Sequence, residues 1–145
     1  MANPMRVGDL FFSQKDFSEH LMVVIGRSPK TGDVLAVSIT SHRERGDKTC
    51  VLGAGVHPAL TRTSMIAYGY ARAFTIEQQK DFRADRGNAL RPPPMRAQIL
   101  SEIVHGLYLS PHTPPELVRF AQANDIDSPP SPPALPAPPK PKAPR

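Results

Sequence analysis

Between Ile39 and Pro58 the chain reads ITSHRERGDKTCVLGAGVHP, and this stretch holds most of the side chains able to do chemistry. It contains two of the five histidines, His42 and His57, the single cysteine, Cys50, and the adjacent hydroxyls of Thr40 and Ser41. Phosphodiester cleavage needs such types: a base for an attacking 2′-hydroxyl, and cations or hydroxyl donors for the charge that develops on phosphorus. Thr40, Ser41, His42 and Arg43 offer them together at one strand end. The same run, with Arg43, Glu44 and Arg45 alternating in sign, also reads as a solvated loop, and residue types alone favour that plainer reading.

Other chemistries fit less well. His42, Cys50 and His57 lie 8 and 7 residues apart, which matches no zinc pattern and leaves a structural zinc without a fourth ligand. No metal and no cofactor is expected. Cys50 sits between Thr49 and Val51 in an expected strand, where cysteine acts as a small buried hydrophobe. Gly53 to Gly55 follows a strand but opens no helix and precedes no lysine, so it reads as a turn and not as a phosphate cradle. His57, before Pro58, reads as an anchor for its loop.

The elements that must position these groups come from hydropathy and turn signals. Of 145 residues, the last seventeen, Pro129 to Arg145, include nine prolines; such a segment cannot bury apolar surface and reads as an extended, disordered tail from 128 to 145. Its PPSPPALPAPPKPK run can dock a partner's aromatic groove or be an inert extension. The body, 5–127, is one domain. Three of the five net positive charges lie in the tail, leaving 15 cations against 13 anions in the body. Arg43 to Arg96 still carries ten cations against five anions, which permits a basic face. One cysteine fits a reducing compartment. No apolar run approaches the roughly 20 residues that span a bilayer, and the N-terminus lacks a signal-peptide core, so a cytoplasmic protein without membrane association is expected.

LMVVI (Leu21 to Ile25) and VLAVSIT (Val34 to Thr40) are continuous apolar runs, expected to be strands buried on both faces, with RSPKTGD as their hairpin loop. Asp9 to Ser13 and Thr49 to Leu52 are shorter strands. In Ser64 to Phe74, SMIAYGYARAF, alternation puts Ile66, Tyr68, Tyr70, Arg72 and Phe74 on one face and Ala67, Gly69, Ala71 and Ala73 on the other. That bare face calls for a close neighbour, either a helix of this chain or a second copy. Ile76 to Arg83 reads as a helix capped by Thr75. Met95 to Leu107 reads as an amphipathic helix with Ile99, Leu100, Ile103 and Val104 on its stripe. A third helix follows Thr113 as cap. The sum is an α+β protein, mainly β: a small antiparallel barrel with C-terminal helices.

In this order the segments resemble the PemK/MazF (Kid-like) toxin family, SH3-like barrels that cut RNA. VGDLFF stands for the family's opening strand, EHLMVVIG for its Arg-Pro and apolar run, and VLAVSITS for the strand ending in Thr-Ser. TCVLGAGVHPALTRTSMIAYGYARAFTIE resembles the two closing strands. The resemblance covers Val7 to Leu109. It implies Thr40 and Ser41 as phosphate-contacting hydroxyls and Arg72 as the arginine late in the last strand. The family's arginine before proline falls on His20, and its proline on Leu21. Where some members carry an Arg and an Asp two apart, this chain has Ala67 and Gly69. The resemblance implies a toxin-type protein acting on RNA, expected to be a homodimer with an antitoxin-like protein partner. Two outcomes stay open: a metal-independent endoribonuclease using His20, Thr40, Ser41, His42 and Arg43, with Arg27, Lys48 and Arg72 binding substrate, or a non-catalytic binding module that has kept the fold.

Overall fold

The two doubly apolar runs lie side by side in the middle of one sheet. The computed structural model describes residues 5–15, 18–85 and 90–126, with backbone alone for 14–15, 18–20 and 81–85. The elements are β1 (Leu10–Lys15), β2 (Ser18–Arg27), β3 (Val34–Ser41), β4 (Val51–Leu52), β5 (Ser64–Phe74), α1 (Ile76–Asp85), α2 (Ala97–Leu109) and α3 (Pro115–Ala123). The proline-rich tail expected over 128–145 lies outside the described residues.

All neighbouring strands are antiparallel, in the order β1-β2-β3-β5-β4. The fold is α+β and mostly β. Residues alternate between two buried layers. Leu35, Val37 and Ile39 enter the larger one with Val23, Ile25 and the helices. Val34 and Ala36 enter the smaller with Met5, Phe11, Met22, Val24 and Phe74. An apolar run without alternation is what a strand needs when both faces are covered.

The sheet stays open where the sequence reading expects a closed barrel. No ladder joins the outer strands β1 and β4 among the described residues. β4 is only two residues long, and the outer edge of β1 already has partners. Arg91 N–H donates to the Leu10 carbonyl at 2.8 Å, Met95 N–H donates to the Gly8 carbonyl at 2.7 Å, and Phe11 bridges Leu90. Covering an edge with a nearby segment satisfies its backbone groups without closure.

β5 departs from simple alternation. Its register runs Ser38↔Ala67 and then Ala36↔Arg72, so Tyr68 to Ala71 stand opposite Val37 alone. Three extra residues, an odd number, exchange the two faces of the strand. Ile66 and Tyr68 enter the larger core before the irregularity, Ala71 does so after it, and Phe74 crosses to the smaller one. The expected division into one large and one bare face is therefore corrected to two half-faces in opposite phase. α2 packs on the large residues and not on a bare stripe. Tyr68 Oη donates to the Ile103 carbonyl at 2.7 Å, and a Cβ at Gly106 would overlap the Tyr68 hydroxyl.

The helices follow the expected stripes, with one change of cap. Ile99, Ile103, Val104 and Leu107 of α2 are buried. At the start of α1, Gln78 Oε1 accepts from Thr75 N–H at 2.8 Å and Thr75 Oγ1 accepts from Gln78 N–H at 3.2 Å, a reciprocal capping box. Thr113, expected to cap α3, instead donates its hydroxyl to the Leu107 carbonyl at 2.8 Å and closes the end of α2. The residue at the N-cap of α3 is Pro114, which makes no side-chain cap. Among the described residues no helix is long and apolar enough to cross a membrane.

Candidate functional site

The face that carries the smaller core changes character along β3. Val34 and Ala36 are packed, but Ser38 and Thr40, at the next positions on the same face, line concavities. One concavity, of about 400 Å³, is bounded by Ser38, Thr40, Arg43, Arg45, Asp47 and His112 among others, with Met65, Ala67 and Gly69 of β5 contributing to its wall. A second, of about 320 Å³, adjoins it through Ser38, Gly69 and Tyr70 and adds Ser13, Met22, Ala71 and Arg72. The irregular part of β5 thus lies where the two meet.

The side chains reach this place for local reasons. Gly46 N–H donates to the Arg43 carbonyl at 3.3 Å, turning the 43–46 loop back over β5. Gly46 leaves room there for the Met65 thioether, which would have to shift if a Cβ were added. Asp47 anchors the far side of that loop. Its Oδ1 accepts from the Thr49 hydroxyl at 2.6 Å and the Thr49 N–H at 3.0 Å, and its Oδ2 accepts from the Ser110 hydroxyl at 2.5 Å. The Ser110 oxygen in turn accepts from His112 N–H at 3.1 Å, tying the α2–α3 connection to the groove. Burial pushes the Asp47 carboxyl up, but the hydrogen bonds from Ser110 and Thr49, with the nearby His112 charge, outweigh it and hold it below its ordinary value.

Electrostatically the site is a basic groove beside an aromatic. Arg43 and Arg45 are exposed on one side. On the other, the Arg72 guanidinium lies 4.9 Å from the centroid of the Phe74 ring and lines the smaller concavity. Tyr70, 69% exposed, borders both concavities. Guanidiniums beside an exposed ring suit a ligand with alternating anionic and planar groups.

The expected site residues are divided by this geometry. Thr40 and Arg43 line the larger concavity and Arg72 the smaller. Ser41, next to Thr40 on a strand, belongs to the opposite face, where it pairs with Ser64. His42 is exposed, donates its backbone N–H to the Thr63 carbonyl at 3.0 Å, and borders neither concavity. Lys48 is exposed beside Asp47 and also borders neither. Arg27 lies at the hairpin end of the sheet, opposite Val34, about 20 Å along the strand from the level of Thr40 at roughly 3.3 Å per residue. His20 stands opposite Ser13 in the β1–β2 ladder; its side chain is outside the described residues.

Arg45 joins Thr40 and Arg43 from the same short run, whereas Asp47, Tyr70 and His112 are brought to the groove without having been singled out by their sequence spacing. His112 lies in SPHT, legible only as a helix-breaking connection, and Tyr70 reads as one more large residue of a regular strand. The fold also resolves the remaining residues of the 39–58 stretch. Cys50 is buried, and its thiol is pushed up to about 11, chiefly by burial. His57 is buried too: Nδ1 accepts from Ala59 N–H at 2.9 Å while Nε2 meets the Pro93 carbonyl at 2.5 Å, so the ring fastens its loop to the segment before α2. Among the described residues no group of three or more His, Cys, Asp or Glu is placed to hold a metal.

No family model matches the chain, and no curated protein matches it significantly.

Proposed function

We propose that this is a PemK/MazF-like, toxin-type protein that acts on single-stranded RNA through the groove between the 43–47 loop, β5 and the α2–α3 connection. One observation carries the reading: Tyr70, exposed at the junction of two concavities, is flanked by Arg43 and Arg45 on one side and Arg72 on the other. Single-stranded nucleic acids are held by this combination, cations tracking the phosphates and an aromatic ring stacking a base. The order of the strands supports an SH3-like barrel of the PemK/MazF kind, left open between β1 and β4. A cytoplasmic homodimer with an antitoxin-like protein partner belongs to the same reading.

Cleavage on this plan needs no metal. The 2′-oxygen bonds to phosphorus as the phosphorus–5′-oxygen bond breaks: Thr40 and Arg43 donate to the scissile phosphate, His20 or His112 takes the 2′-hydroxyl proton, and water protonates the departing 5′-oxygen. Ala67 and Gly69, in place of the charged pair of some family members, favour the second reading, a module that binds RNA without cutting it. In that plan the charges around the groove come instead from Arg43, Arg45 and Asp47.

The test is titration of a labelled single-stranded RNA at several salt concentrations, with EDTA present. Binding is expected with a steep salt dependence, and the joint variant Arg43→Ala, Arg45→Ala is expected to flatten the slope of log K against log salt by about 0.7 per lost phosphate contact. Absence of binding, or a slope untouched by the double variant, removes the RNA reading. Products with 2′,3′-cyclic phosphate ends identify the nuclease, and His20→Ala against His112→Ala identifies its base. Bound but intact RNA identifies the binding module.

A further inference from the structure

The two outer strands share no ladder among the described residues, yet one side chain joins the segments attached to them. β1 has the 91–95 segment along its outer edge, held by the Arg91 and Met95 N–H groups on the Leu10 and Gly8 carbonyls. β4 leads into the 53–60 loop, which is closed by Gly55 N–H on the Leu60 carbonyl and Leu60 N–H on the His57 carbonyl, each at 2.8 Å. The His57 ring connects the two: Nδ1 accepts from Ala59 N–H at 2.9 Å, and Nε2 meets the Pro93 carbonyl at 2.5 Å. Val56, Ala59 and Leu60 on one side of this seam, and Met95 on the other, pack against the larger core. The seam therefore shuts that core where strand pairing does not.

The geometry admits one form of the ring. Ala59 N–H is a donor, so Nδ1 presents a lone pair; the Pro93 carbonyl is an acceptor, so Nε2 carries the proton. A ring with protons on both nitrogens has two donors and no acceptor, and its Nδ1–H would face the Ala59 N–H. No counter-ion stands ready for the added charge. His57 is 2% exposed, and among the described residues no ion pair reaches it. The 53–60 loop has no other ionisable side chain, and Arg62, just beyond it, is exposed. The 91–96 segment brings two cations: Arg91, whose guanidinium lies over the Phe12 ring, and Arg96, which is exposed. At the entry to β1, Asp9 already accepts from Arg6 N–H at 2.8 Å, and Glu102 and His105 of α2 are exposed.

We infer that His57 is a proton-operated latch: when its ring takes a second proton, the 53–60 loop parts from the 91–95 segment, that segment frays from β1, and the larger core opens between β4 and β1. An imidazole in contact with water takes up such a proton below about pH 6.5. The parted form accommodates it, whereas the closed seam has no acceptor or counter-ion for it. The parted form therefore holds more protons, so acid favours it, and above that range the seam stays shut. The latch is independent of the RNA groove, whose residues Ser38 and Thr40 lie on the opposite face of the sheet.

Amide hydrogen exchange of the full-length protein, followed by NMR and corrected for intrinsic rates, tests this. Between about pH 7.5 and about pH 5, protection of Gly55 and Leu60 in the loop and of Arg91 and Met95 in the facing segment is expected to fall together by at least about fivefold, out of the roughly 30-fold that one proton can contribute over about 1.5 pH units. The β2–β3 ladder is expected to keep its protection. His57→Gln, neutral at both pH values while retaining a donor and an acceptor, is expected to abolish the pH dependence. As a readout that needs no variant, the ring nitrogen chemical shifts of the wild type are expected to place the proton on Nε2 at about pH 7.5. Equal protection at both pH values, a loop that opens while the 91–95 segment stays protected, a pH dependence that survives His57→Gln, or a proton found on Nδ1 overturns the latch.

Discussion

One face of the sheet is built in two ways along its length. Toward the β2–β3 hairpin it is packed: Met5, Phe11, Met22, Val24, Val34, Ala36 and Phe74 form a dry cluster, and the ring centroids of Phe11 and Phe74 lie 5.8 Å apart, edge to face. Toward the other end the same strands carry Ser13, Ser38 and Thr40, and the face opens into two concavities. Two positions along β3 separate Ala36 from Ser38. The contrast teaches where stability is concentrated and where it has been left out, because hydroxyls facing a cavity contribute little to folding where branched apolar side chains would contribute much.

The largest expected break in this contrast is Phe74→Ala. Removing a fully buried ring that touches Phe11 and carries the Arg72 guanidinium on its face is expected to cost about 3–5 kcal/mol of unfolding free energy. Ser38→Ala, four residues along β3 from the position that faces Phe74, is expected to change stability by no more than about 0.5 kcal/mol, since its side chain lines a concavity. Urea unfolding of both variants measures the difference. A Ser38→Ala cost as large as that of Phe74→Ala would mean that the face is uniformly structural.

Gln79 sets the boundary of the packed half. Only 1% exposed, it accepts from Met5 N–H at 3.0 Å and donates to the carbonyls of Gly32 and Phe74 at 3.0 and 3.1 Å. One side chain thereby joins the N-terminal segment, the hairpin loop and the end of β5. Gln79→Leu keeps the approximate volume but removes the hydrogen bonds that Gln79 makes to three backbone groups, and about 2–4 kcal/mol of destabilisation is expected in the same urea experiment. Gln79→Glu retains the acceptor for Met5 and loses both donors, so the hairpin-side contribution can be separated from the N-terminal one.

In the open half the expected effects move from stability to binding. Tyr70→Ala is expected to weaken single-stranded RNA binding by about 1–3 kcal/mol, the usual weight of one base stacked on an aromatic side chain. Its unfolding midpoint is expected to remain nearly unchanged, because the ring is exposed. Phe74→Ala has the opposite profile. If Tyr70→Ala instead unfolds the protein without changing RNA affinity in what remains folded, the groove has been misassigned as a surface.

The packed half was largely legible in the sequence and the open half was not, for physical reasons that particular residues show. LMVVI and VLAVSIT announce doubly buried strands because they are nearly continuous apolar runs, and Thr75 announces the α1 cap, to which the structure adds Gln78 as its reciprocal partner. Thr40 and Arg43 were found as strand-end chemistry. The irregularity in β5 was hidden, because SMIAYGYARAF alternates through the point at which the ladder does not. That one break moves Phe74 to the opposite layer from Tyr68 and exposes Tyr70, and strand periodicity cannot reveal a change of its own phase. His112 and Asp47 are 65 residues apart in sequence and meet only because α2 returns the chain to the 43–47 loop.

The smallest expected effect lies where these two residues meet, and it opposes stability to binding. Asp47, with its carboxyl held below the ordinary 3.8 despite the opposing effect of burial, favours folding when ionised. Because the folded value is lower than the unfolded one, this contribution is complete above about pH 4 and is lost as pH falls through the folded value. The carboxylate is partly exposed, so less than about 1 kcal/mol is expected from it. Asp47→Asn is therefore expected to be slightly less stable than wild type at pH 7 and to approach wild type at pH 3, both read by urea unfolding. A gap that widens in acid would contradict the assignment. The same substitution removes a negative charge from a groove that carries the guanidiniums of Arg43 and Arg45, so RNA affinity at low salt is expected to rise as stability falls. In a purely structural loop only the first change would occur. The two together would show that Asp47 holds the 43–47 loop in shape at some expense to the anion the groove is built to attract.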